Sequence, residues 1–495
     1  MTRRSLFAFP LAGAALSQTS TRPNVLLVLV DDMGQRALSC YGNPHVQTAN
    51  IDRLAREGMR FTDAYATPQC TPTRATLLTG QYTARNRMWH VIPGYSHPWA
   101  RVEEPPYLEN LDRRVFTVAE GMKSAGYRTA CIGKWHLNTN NDGNYNTLKA
   151  EAAVHYGFDE VGAPPPERET STGDKGVDRL TAEAIRFIKA DPSRPFFCYL
   201  AHHTTHGPLV APRPLVEKYK AKGLPESGEN NAVLMACLEH LDHSVGRLLG
   251  ALEDAGMAGR TAVFFVADNG GVWQRFHPVR VSGGKASPPR LEHNDFNFSN
   301  APFRAGKGAA YEGGIRVPWL VRWPGVTPPG SVNRTPVHVV DLMPTLLAMA
   351  GARPPQGHVM DGVNLLPALR NRTLAARPLF WYMPFYDLRW GAVPAAIIRE
   401  GDFKLIESFG DYVDLDRNAA HILEPRLELY NLRQDPGERE DLAAAMPERV
   451  RAMRERLRKW IAGCGAATPK PNPRFDPERA LIEQRGQLSA PTLRP

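Results

Sequence analysis

A single cysteine, Cys70, begins a short stretch that also contains a proline and an arginine. The stretch reads Q-C-T-P-T-R from residue 69 and continues to Gly80. Because proline has no N–H to donate, Pro72 predicts a first helical turn, and Gly80 predicts the end of that helix. Cys70 would then lie at the helix N-terminus, where unpaired N–H groups favour an anion, with Arg74 on the same face. This indicates chemistry on an anionic group, and the alternative is a buried structural cysteine with a helix-capping threonine.

Four apolar stretches typical of buried strands end in groups that could bind a metal or an anion. The stretches are residues 24–30, 127–132, 195–201 and 260–267. One such ending is weak evidence, because an aspartate after a strand is commonly a cap or turn residue. Ligands of open α/β sheets, however, bind at the carboxyl ends of strands, so four endings at one sheet edge predict a site. The residues at these ends are Asp31, Asp32, Lys134, His136, His206, Asp268 and Asn269.

The ligand types at these ends favour a hard divalent cation. Asp31, Asp32, Asp268 and Asn269 offer only oxygen, which suits Ca²⁺ or Mg²⁺ rather than zinc. Three clustered carboxylates would also repel one another unless a cation lay among them. The nearby positive and donor groups predict a tetrahedral oxyanion bound against that metal. They are Arg74, Lys134, His136, His206 and Lys307, the last in a glycine-flanked loop that can approach a ligand closely.

The alternation of strands and helices predicts a doubly wound, mostly parallel α/β sheet flanked by helices. Residues 272–300 interrupt the pattern and are interpreted as a long surface loop. From about residue 378 the pattern of predicted elements changes to short strands without long crossover connections, followed by a helix over 447–461. This pattern predicts a smaller antiparallel sheet with a packed helix. We therefore divide the chain into an α/β domain, a C-terminal α+β subdomain and a proline-rich tail, at residues 22–375, 376–465 and 466–495.

The N-terminus and the overall charge restrict location and partners. Residues 1–17 have a basic head, a short apolar core and a small-x-small cleavage site, which predicts a signal peptide. Its first residues match the twin-arginine export signal imperfectly. We therefore expect export to the periplasm or cell exterior and a mature protein that is soluble and not membrane-bound. The net charge is +9, but the basic residues are scattered, which argues against nucleic acid as a partner. The six cysteines show no zinc-like spacing.

The chain resembles the type I sulfatases of the alkaline phosphatase superfamily through nearly its whole mature length. Residues 70–80 match the C-x-P-x-R signature of that family and its continuation. Further matching segments occur in the expected order, at residues 24–34, 133–137, 205–206, 267–270, 306–318, 428–432 and 435–438. The resemblance implies an alkaline phosphatase-like fold and hydrolysis of a sulfate monoester.

The resemblance also implies the role of each site residue. A formylglycine-generating enzyme would oxidise Cys70 to formylglycine, whose hydrate attacks sulfur and releases the alcohol. One Ca²⁺ would be bound by Asp31, Asp32, Asp268, Asn269 and the modified Cys70. Arg74 and Lys134 would orient the hydrate, and His136 would handle its proton. His206 and Lys307 would bind the sulfate, and one of them would protonate the leaving alcohol.

Two other functions and the identity of the substrate stay open at this point. A phosphatase or phosphonate monoester hydrolase shares the sheet plan, although the chain lacks the second set of metal ligands that two-metal relatives need. A non-catalytic binder of sulfated glycans is the other alternative. A sulfated carbohydrate is the expected substrate, with an aryl sulfate as a surrogate. Six residues are candidates for lining the pocket: Trp89, His90, Trp273, His277, Arg280 and Lys285; the roles of His202 and His203 are open.

Overall fold

Eight strands form one mixed sheet, in a computed structural model that describes residues 22–482 and 484–485. Gaps in this description fall at 139–143, 145, 163–172, 274, 278–279, 283–284, 288–289, 293–297, 411 and 414–421. The predicted signal peptide lies outside the described residues. In chain order the strands are β1 (Asn24–Val30), β2 (Met59–Phe61), β3 (Arg128–Gly133), β4 (Glu160–Val161), β5 (Phe196–Ala201), β6 (Thr261–Ala267), β7 (Trp319–Arg322) and β8 (Ser331–Asn333).

The four strands whose ends carry the predicted site residues are neighbours at the centre of this sheet. The strand order is β8-β2-β7-β6-β1-β5-β3-β4. Strands β6, β1, β5 and β3 pair in parallel, so their carboxyl ends meet at one edge. Only β7 runs against its neighbours among the described strands of this sheet. The prediction of a large, mostly parallel sheet is therefore confirmed.

Two groups of helices flank the large sheet. Central strands buried on both faces read as continuous apolar runs, and every residue of β1, β5 and β6 is buried. The main helices of this part of the chain are α1 (Ala49–Glu57), α2 (Cys70–Thr79), α3 (Val118–Ser124), α4 (Val177–Lys189), α5 (Arg213–Ala221), α6 (Ala232–Asp254) and α7 (Leu342–Ala350). Helix α6 packs against α1, α4 and α5, whereas α7 packs against α2 and α3.

The C-terminal part forms its own antiparallel sheet with a packed helix, as predicted. The strands are β9 (Leu379–Met383), β10 (Ala395–Glu400), β11 (Phe403–Ser408) and β12 (Leu427–Asn431), paired in that order. Helix α8 (Pro447–Gly463) packs against β10 and β11. Its Trp460 stacks on Phe380 of β9, with ring centroids 4.4 Å apart. This apolar contact joins the helix to the sheet in a second core, which also includes Tyr65 and Trp89 of the α/β domain.

The structure differs from the predicted elements in four details. The segment 272–300, expected as a loop, contains two antiparallel strand pairs, Arg275–His277 with Arg290–Glu292 and Arg280–Ser282 with Lys285–Ser287. The strand expected over 316–323 is limited to β7, and the helix expected over 337–349 begins with a 3-10 turn. The tail is partly paired, with Lys470–Pro471 against Val102–Glu103. Among the described residues, we find no helix with the length and apolarity needed to cross a membrane.

Candidate active site

Asp31, Asp32, Asp268 and Asn269 are brought together because β1 and β6 are parallel neighbours in register. Val30 lies opposite Ala267, so both acidic turns leave the sheet at the same level. The backbone N–H of Asp32 donates to Asp268 Oδ1 over 3.1 Å, and Asn269 Nδ2 donates to Asp32 Oδ1 over 2.8 Å. Asp32 has a φ of 60°, a left-handed conformation that is sparsely populated for residues other than glycine and clusters at functional sites.

Cys70 is the first residue of α2, as predicted, and the helix directs it at the acidic cluster. Its Sγ lies 3.2 Å from Asp31 Oδ1 and 3.8 Å from Asp32 Oδ1. The helix ends at Gly80, whose φ of 64° is the left-handed cap that glycine supplies readily. The side chain of Cys70 is fully buried in this structure. Cys70 therefore lies beside the acidic cluster, where the sequence predicts it, and its role as the nucleophile stays a prediction.

Three cationic side chains surround the carboxylates. Arg74 Nη2 lies 2.7 Å from Asp268 Oδ2, Lys134 Nζ 2.5 Å from Asp31 Oδ2, and Lys307 Nζ 2.7 Å from Asp32 Oδ2. All three cations are at least nine-tenths buried. The loop that carries Lys307 needs its glycine, because Gly308 has a φ of +85° and a Cβ there would lie 2.4 Å from Trp390 Cβ.

Burial and neighbouring charges shift the pKa values of the groups in the cluster. Burial alone would raise the pKa of Asp31, but Lys134, His206 and Arg74 hold that pKa well below its usual range. Burial, and next the charge of Asp31, raise the pKa of Asp268 to about 7. Burial and the charge of Asp31 also raise the pKa of the Cys70 thiol well above its ordinary value. A divalent cation among these groups would relieve the repulsion between the carboxylates.

The two predicted histidines lie at the same cavity but differ in exposure. His136 is buried, and its Nε2 lies 2.5 Å from the carbonyl oxygen of Ile92. Burial and the charge of Lys134 hold the pKa of His136 well below its ordinary value, so the ring is neutral. The His206 side chain is 39% exposed, and its Nε2 lies 3.8 Å from Asp32 Oδ2. Of these two histidines, His206 is therefore the more accessible to a ligand that enters the cavity.

The neighbouring histidines have separate places. His203 lines the cavity, and its Nε2 has no hydrogen-bond partner among the described residues. His202 is fully buried, and its Nε2 lies 3.2 Å from Ser244 Oγ of α6. Of the two, only His203 can therefore meet a ligand.

Three of the six residues expected to line the pocket around the substrate, Trp89, His90 and Trp273, do not line it. Trp89 and His90 are buried and pack against Tyr382 and Tyr107 respectively. Trp273 lines a different cavity. The side chains of His277, Arg280 and Lys285 lie outside the described part of the chain. These six positions were chosen for residue type alone, and aromatic residues serve cores as readily as pockets.

A cavity of about 460 Å³, here called the catalytic cavity, opens onto the site. This volume is within the range of small-molecule sites. The predicted site residues that line the catalytic cavity are Asp32, Cys70, Lys134, His136, His206 and Lys307. Tyr95, Arg389 and Trp390, which no motif indicated, line it as well. The cavity therefore combines buried cations with aromatic and guanidinium groups toward its mouth.

A turn of the C-terminal subdomain reaches this cavity, a feature that sequence reasoning missed. Asp387 is fully buried and accepts a hydrogen bond from Gln69 Nε2 over 2.8 Å. It also accepts from Arg389 through Nε and Nη2, each at 2.8 Å. The Arg389 guanidinium lies 3.7 Å from the ring centroid of Tyr95. The sequence shows only a polar turn after an apolar strand here, which gives no signal of contact with Gln69, the residue before Cys70.

The donor set fits a hard divalent cation. Ligand atoms of Asp31, Asp32, Cys70 and Asp268 all lie within 4.8 Å of one another. Asn269 Oδ1 is buried and has no hydrogen-bond partner in the described part of the chain. A buried acceptor without a partner is unfavourable, and a cation beside Asp32 and Asp268 would satisfy it. Oxygen-rich ligation of this kind suits Ca²⁺ or Mg²⁺.

Comparison with known proteins identifies the family. Residues 23–352 match the Sulfatase family, and residues 306–462 match the C-terminal domain described as N-sulphoglucosamine sulphohydrolase, C-terminal. The N-acetylgalactosamine-6-sulfatase of Sus scrofa is 32% identical, covering 91% of this chain and 87% of that protein. Human arylsulfatase A is also 32% identical, covering 91% of this chain and 90% of its own length.

A solved structure agrees with this assignment at the level of fold. The structure of Ps i-CgsB in complex with k-i-k-neocarrahexaose has a TM-score of 0.68 and 24% identity, covering 89% of this chain and 93% of that one. The family match favours sulfate esters over the phosphate or phosphonate alternative, and the presence of Cys70 and its cationic partners agrees with an active enzyme. The chain belongs to the type I sulfatase family and is an enzyme that hydrolyses sulfate esters.

Proposed function

We propose that this enzyme cleaves a sulfate monoester of a carbohydrate, using a formylglycine hydrate made from Cys70 together with one bound Ca²⁺. The observation that carries the proposal is the position of Cys70 at the start of α2, with Sγ 3.2 Å from Asp31 Oδ1. At that point an oxygen in place of the sulfur would share a metal with the carboxylates and face the cations of the cavity. A formylglycine-generating enzyme is the maturation partner that this requires.

The metal ligands in this proposal are Asp31, Asp32, Asp268, Asn269 and the modified Cys70. Bound there, Ca²⁺ would neutralise sulfate charge and lower the pKa of a coordinated hydroxyl. The chain's own charges at the site balance, with three carboxylates against Arg74, Lys134 and Lys307. A divalent cation would make the site positive overall, which favours an incoming sulfate ester.

The remaining residues would divide the work of the reaction. The modified Cys70 would supply the nucleophile that attacks sulfur and later release sulfate. His206 or Lys307 would hold the proton that the leaving alcohol takes up, and His136 would accept the proton that the nucleophile gives up. Arg74 and Lys134 hold the hydrate in position, and fixed cations of this kind stabilise developing charge without reorganising.

A carbohydrate substrate is supported by the relatives and by the cavity. The similar protein from Sus scrofa is named for a sulfated sugar, and Ps i-CgsB was solved with a neocarrahexaose. In this chain, Trp390 lines the catalytic cavity beside the catalytic groups, and Tyr95 and Arg389, which pack on one another, line it as well. Sugar rings pack on aromatic faces such as that of Trp390.

Mass spectrometry of the tryptic peptide from Phe61 to Arg74 tests this proposal. We expect Cys70 to have lost its sulfur and become an aldehyde in active enzyme, and hydrolysis of 4-nitrophenyl sulfate to scale with the converted fraction. The matched control is 4-nitrophenyl phosphate, which should be turned over much more slowly. Full sulfatase activity from enzyme whose Cys70 is entirely thiol would contradict the mechanism.

We also propose that the enzyme is exported after removal of residues 1–17, and that residues 22–375 and 376–465 are its two structural units. N-terminal sequencing of protein secreted by the producing cell tests the first point. A mature N-terminus at residue 18 is expected. Intact Met1 in the exported protein would rule out the cleavage.

A further inference from the structure

A second cavity, of about 650 Å³, lies between the edge of the large sheet and the C-terminal sheet. It shares no lining residue with the catalytic cavity. Two aspartates, Asp63 and Asp402, line it. The arginines that line it outnumber them and are Arg36, Arg60, Arg316, Arg334, Arg399 and Arg433. We call it the arginine cavity.

Two of these arginines are neutralised in the wall of the arginine cavity. Asp63 lies 3.0 Å from Arg316 Nη2 and 2.8 Å from Arg399 Nη2. Burial alone would raise the pKa of Asp63, but these two guanidinium groups lower it, so the carboxylate stays ionised. Arg316 also lies 3.2 Å from Glu312 Oε2. This group is a closed ion-pair network with no charge left over for a ligand.

Three other arginines have no such compensation. Among the described residues, no carboxylate lies within 4.0 Å of the guanidinium groups of Arg36, Arg60 or Arg334. Arg36 Nη1 donates to the carbonyl oxygen of Tyr41 over 2.5 Å, and the Arg60 guanidinium lies 5.4 Å from the centroid of the Tyr41 ring. These three arginines are therefore the positive charges of the cavity that no carboxylate of the described residues pairs, and they are available to an anion.

We propose that the arginine cavity is a second binding site for a sulfated saccharide, distinct from the site of hydrolysis. The proposal rests on the proposed function, in which the substrate is a sulfated carbohydrate. Guanidinium groups bind oxyanions such as sulfate through paired hydrogen bonds. The volume exceeds what one inorganic anion needs, so the cavity has room for part of a saccharide. Binding there would hold a polymer while its sulfate groups enter the catalytic cavity.

Calorimetry on the full-length enzyme tests the site. The probes are hexasaccharides of chondroitin 6-sulfate and of ι-carrageenan, titrated into protein with Cys70→Ala to prevent turnover. The arginine variant adds Arg60→Gln and Arg334→Gln, and its matched control adds Arg353→Gln and Lys459→Gln, which remove the same charge from exposed positions elsewhere. We expect the arginine variant to bind at least one hexasaccharide about tenfold more weakly, or with one site fewer, and the control to bind unchanged.

Kinetics separate this site from the reaction. With Cys70 intact, the arginine variant should hydrolyse 4-nitrophenyl sulfate within about twofold of the wild-type rate while KM for the sulfated polymer rises about tenfold. Unchanged binding of both hexasaccharides would overturn the proposal, as would an equal loss on the small and the large substrate. Should the double variant misfold in thermal melts, Arg36→Gln provides the same comparison.

Two further outcomes are informative. If sodium sulfate binds the wild type but not the arginine variant while the hexasaccharides do not discriminate, the cavity is a site for free sulfate and the proposal is overturned. If wild-type enzyme neither converts Cys70 nor hydrolyses 4-nitrophenyl sulfate, the proposed function fails. The hexasaccharide titrations would still decide whether the arginine cavity binds sulfated saccharides.

Discussion

Asp387 of the C-terminal subdomain accepts a hydrogen bond from the side chain of Gln69, the residue directly before Cys70. The same carboxylate binds Arg389 through two nitrogens, and the Arg389 guanidinium covers the ring of Tyr95 at the catalytic cavity. Asp387 is completely buried, whereas Arg389 is partly exposed. The C-terminal subdomain is thus connected by hydrogen bonds to the segment that carries the proposed nucleophile.

Substitution of Asp387 should therefore reduce catalysis without touching a metal ligand. Asp387→Ala removes the acceptor shared by Gln69 and Arg389. The segment of Cys70 and the Arg389 side chain in the wall of the catalytic cavity are then held less firmly. We expect kcat/KM for 4-nitrophenyl sulfate to fall about 10²-fold, since small displacements of a reacting group have effects of that size. Asp387→Asn can still accept from Gln69 and should lose less.

The control for that comparison is Asp254→Asn, which changes the same charge at an exposed helix end. It should leave kcat/KM unchanged. If Asp387→Ala retained wild-type kcat/KM with a normal melting temperature, Asp387 would have no positioning role.

Calcium should stabilise the folded enzyme, because it would bind the native carboxylate cluster and not the unfolded chain. At a free concentration of 100 times Kd, the expected gain in unfolding free energy is about 2.7 kcal/mol, measured by denaturant titration with calcium or with EDTA. Asp268→Asn should abolish this gain and the activity. A second acidic group, Asp174 with Asp178 and His240, offers the control Asp174→Asn, which should keep both. A calcium response that Asp174→Asn removes and Asp268→Asn retains would place the metal elsewhere.

Sequence patterns predicted the centre of the site because its residues sit at the ends of strongly apolar strands. Once β1, β3, β5 and β6 are recognised, parallel pairing places Asp31, Lys134, His206 and Asp268 at one edge without further information. Cys70 followed from local helix chemistry, since Pro72 and Gly80 mark the limits of α2. The assignment of roles to these residues came from the family resemblance and not from spacing.

Long-range packing explains what was missed. Asp387 and Arg389 reach the cavity through a contact across more than three hundred residues, and no local pattern encodes it. Trp89 was expected at the pocket but packs edge-on against Tyr382 of β9, because the segment after α2 is covered by the C-terminal sheet. Polarity and residue type identify residues that could line a cavity, whereas packing of the C-terminal sheet determines which of these residues are buried.

Glu104 should contribute a loss of stability as pH rises. Burial raises the pKa of Glu104 to about 8, against about 4.5 in the unfolded chain, so the folded protein binds the extra proton between these values. The contribution of this group to the unfolding free energy should therefore decrease from pH 5 to pH 8, by about 1–3 kcal/mol. Nearby His97, 3.8 Å away, has the opposite effect, because burial lowers its pKa to about 3 and the unfolded chain binds its proton below about pH 6.5.

The substitution Glu104→Gln isolates that contribution. The glutamine side chain can still accept the hydrogen bond that the Tyr386 N–H donates over 2.9 Å, but it does not titrate. In urea titrations the variant should equal or exceed the wild type at pH 8, and the unfolding free energy of the variant minus that of the wild type should increase from pH 5 to pH 8. Glu103→Gln, at the exposed neighbour, should follow the wild-type curve. Parallel curves for Glu104→Gln and the wild type would contradict the assignment.

Lys404 connects the C-terminal sheet to the segment that follows the loop of Lys307, so its substitution should destabilise the folded protein. Its Nζ is fully buried, 2.7 Å from Glu438 and 3.1 Å from Glu312, and Glu312 begins the helical turn that follows the loop. Lys404→Gln leaves two buried carboxylates close together, and only Glu312 then keeps a cation, Arg316, so we expect the unfolding free energy to fall by about 3–5 kcal/mol. Lys459→Gln removes an exposed lysine of α8 and should change it by less than about 0.5 kcal/mol. Equal stability of the two variants in urea at pH 7 would show that the buried network contributes nothing to holding the subdomains together.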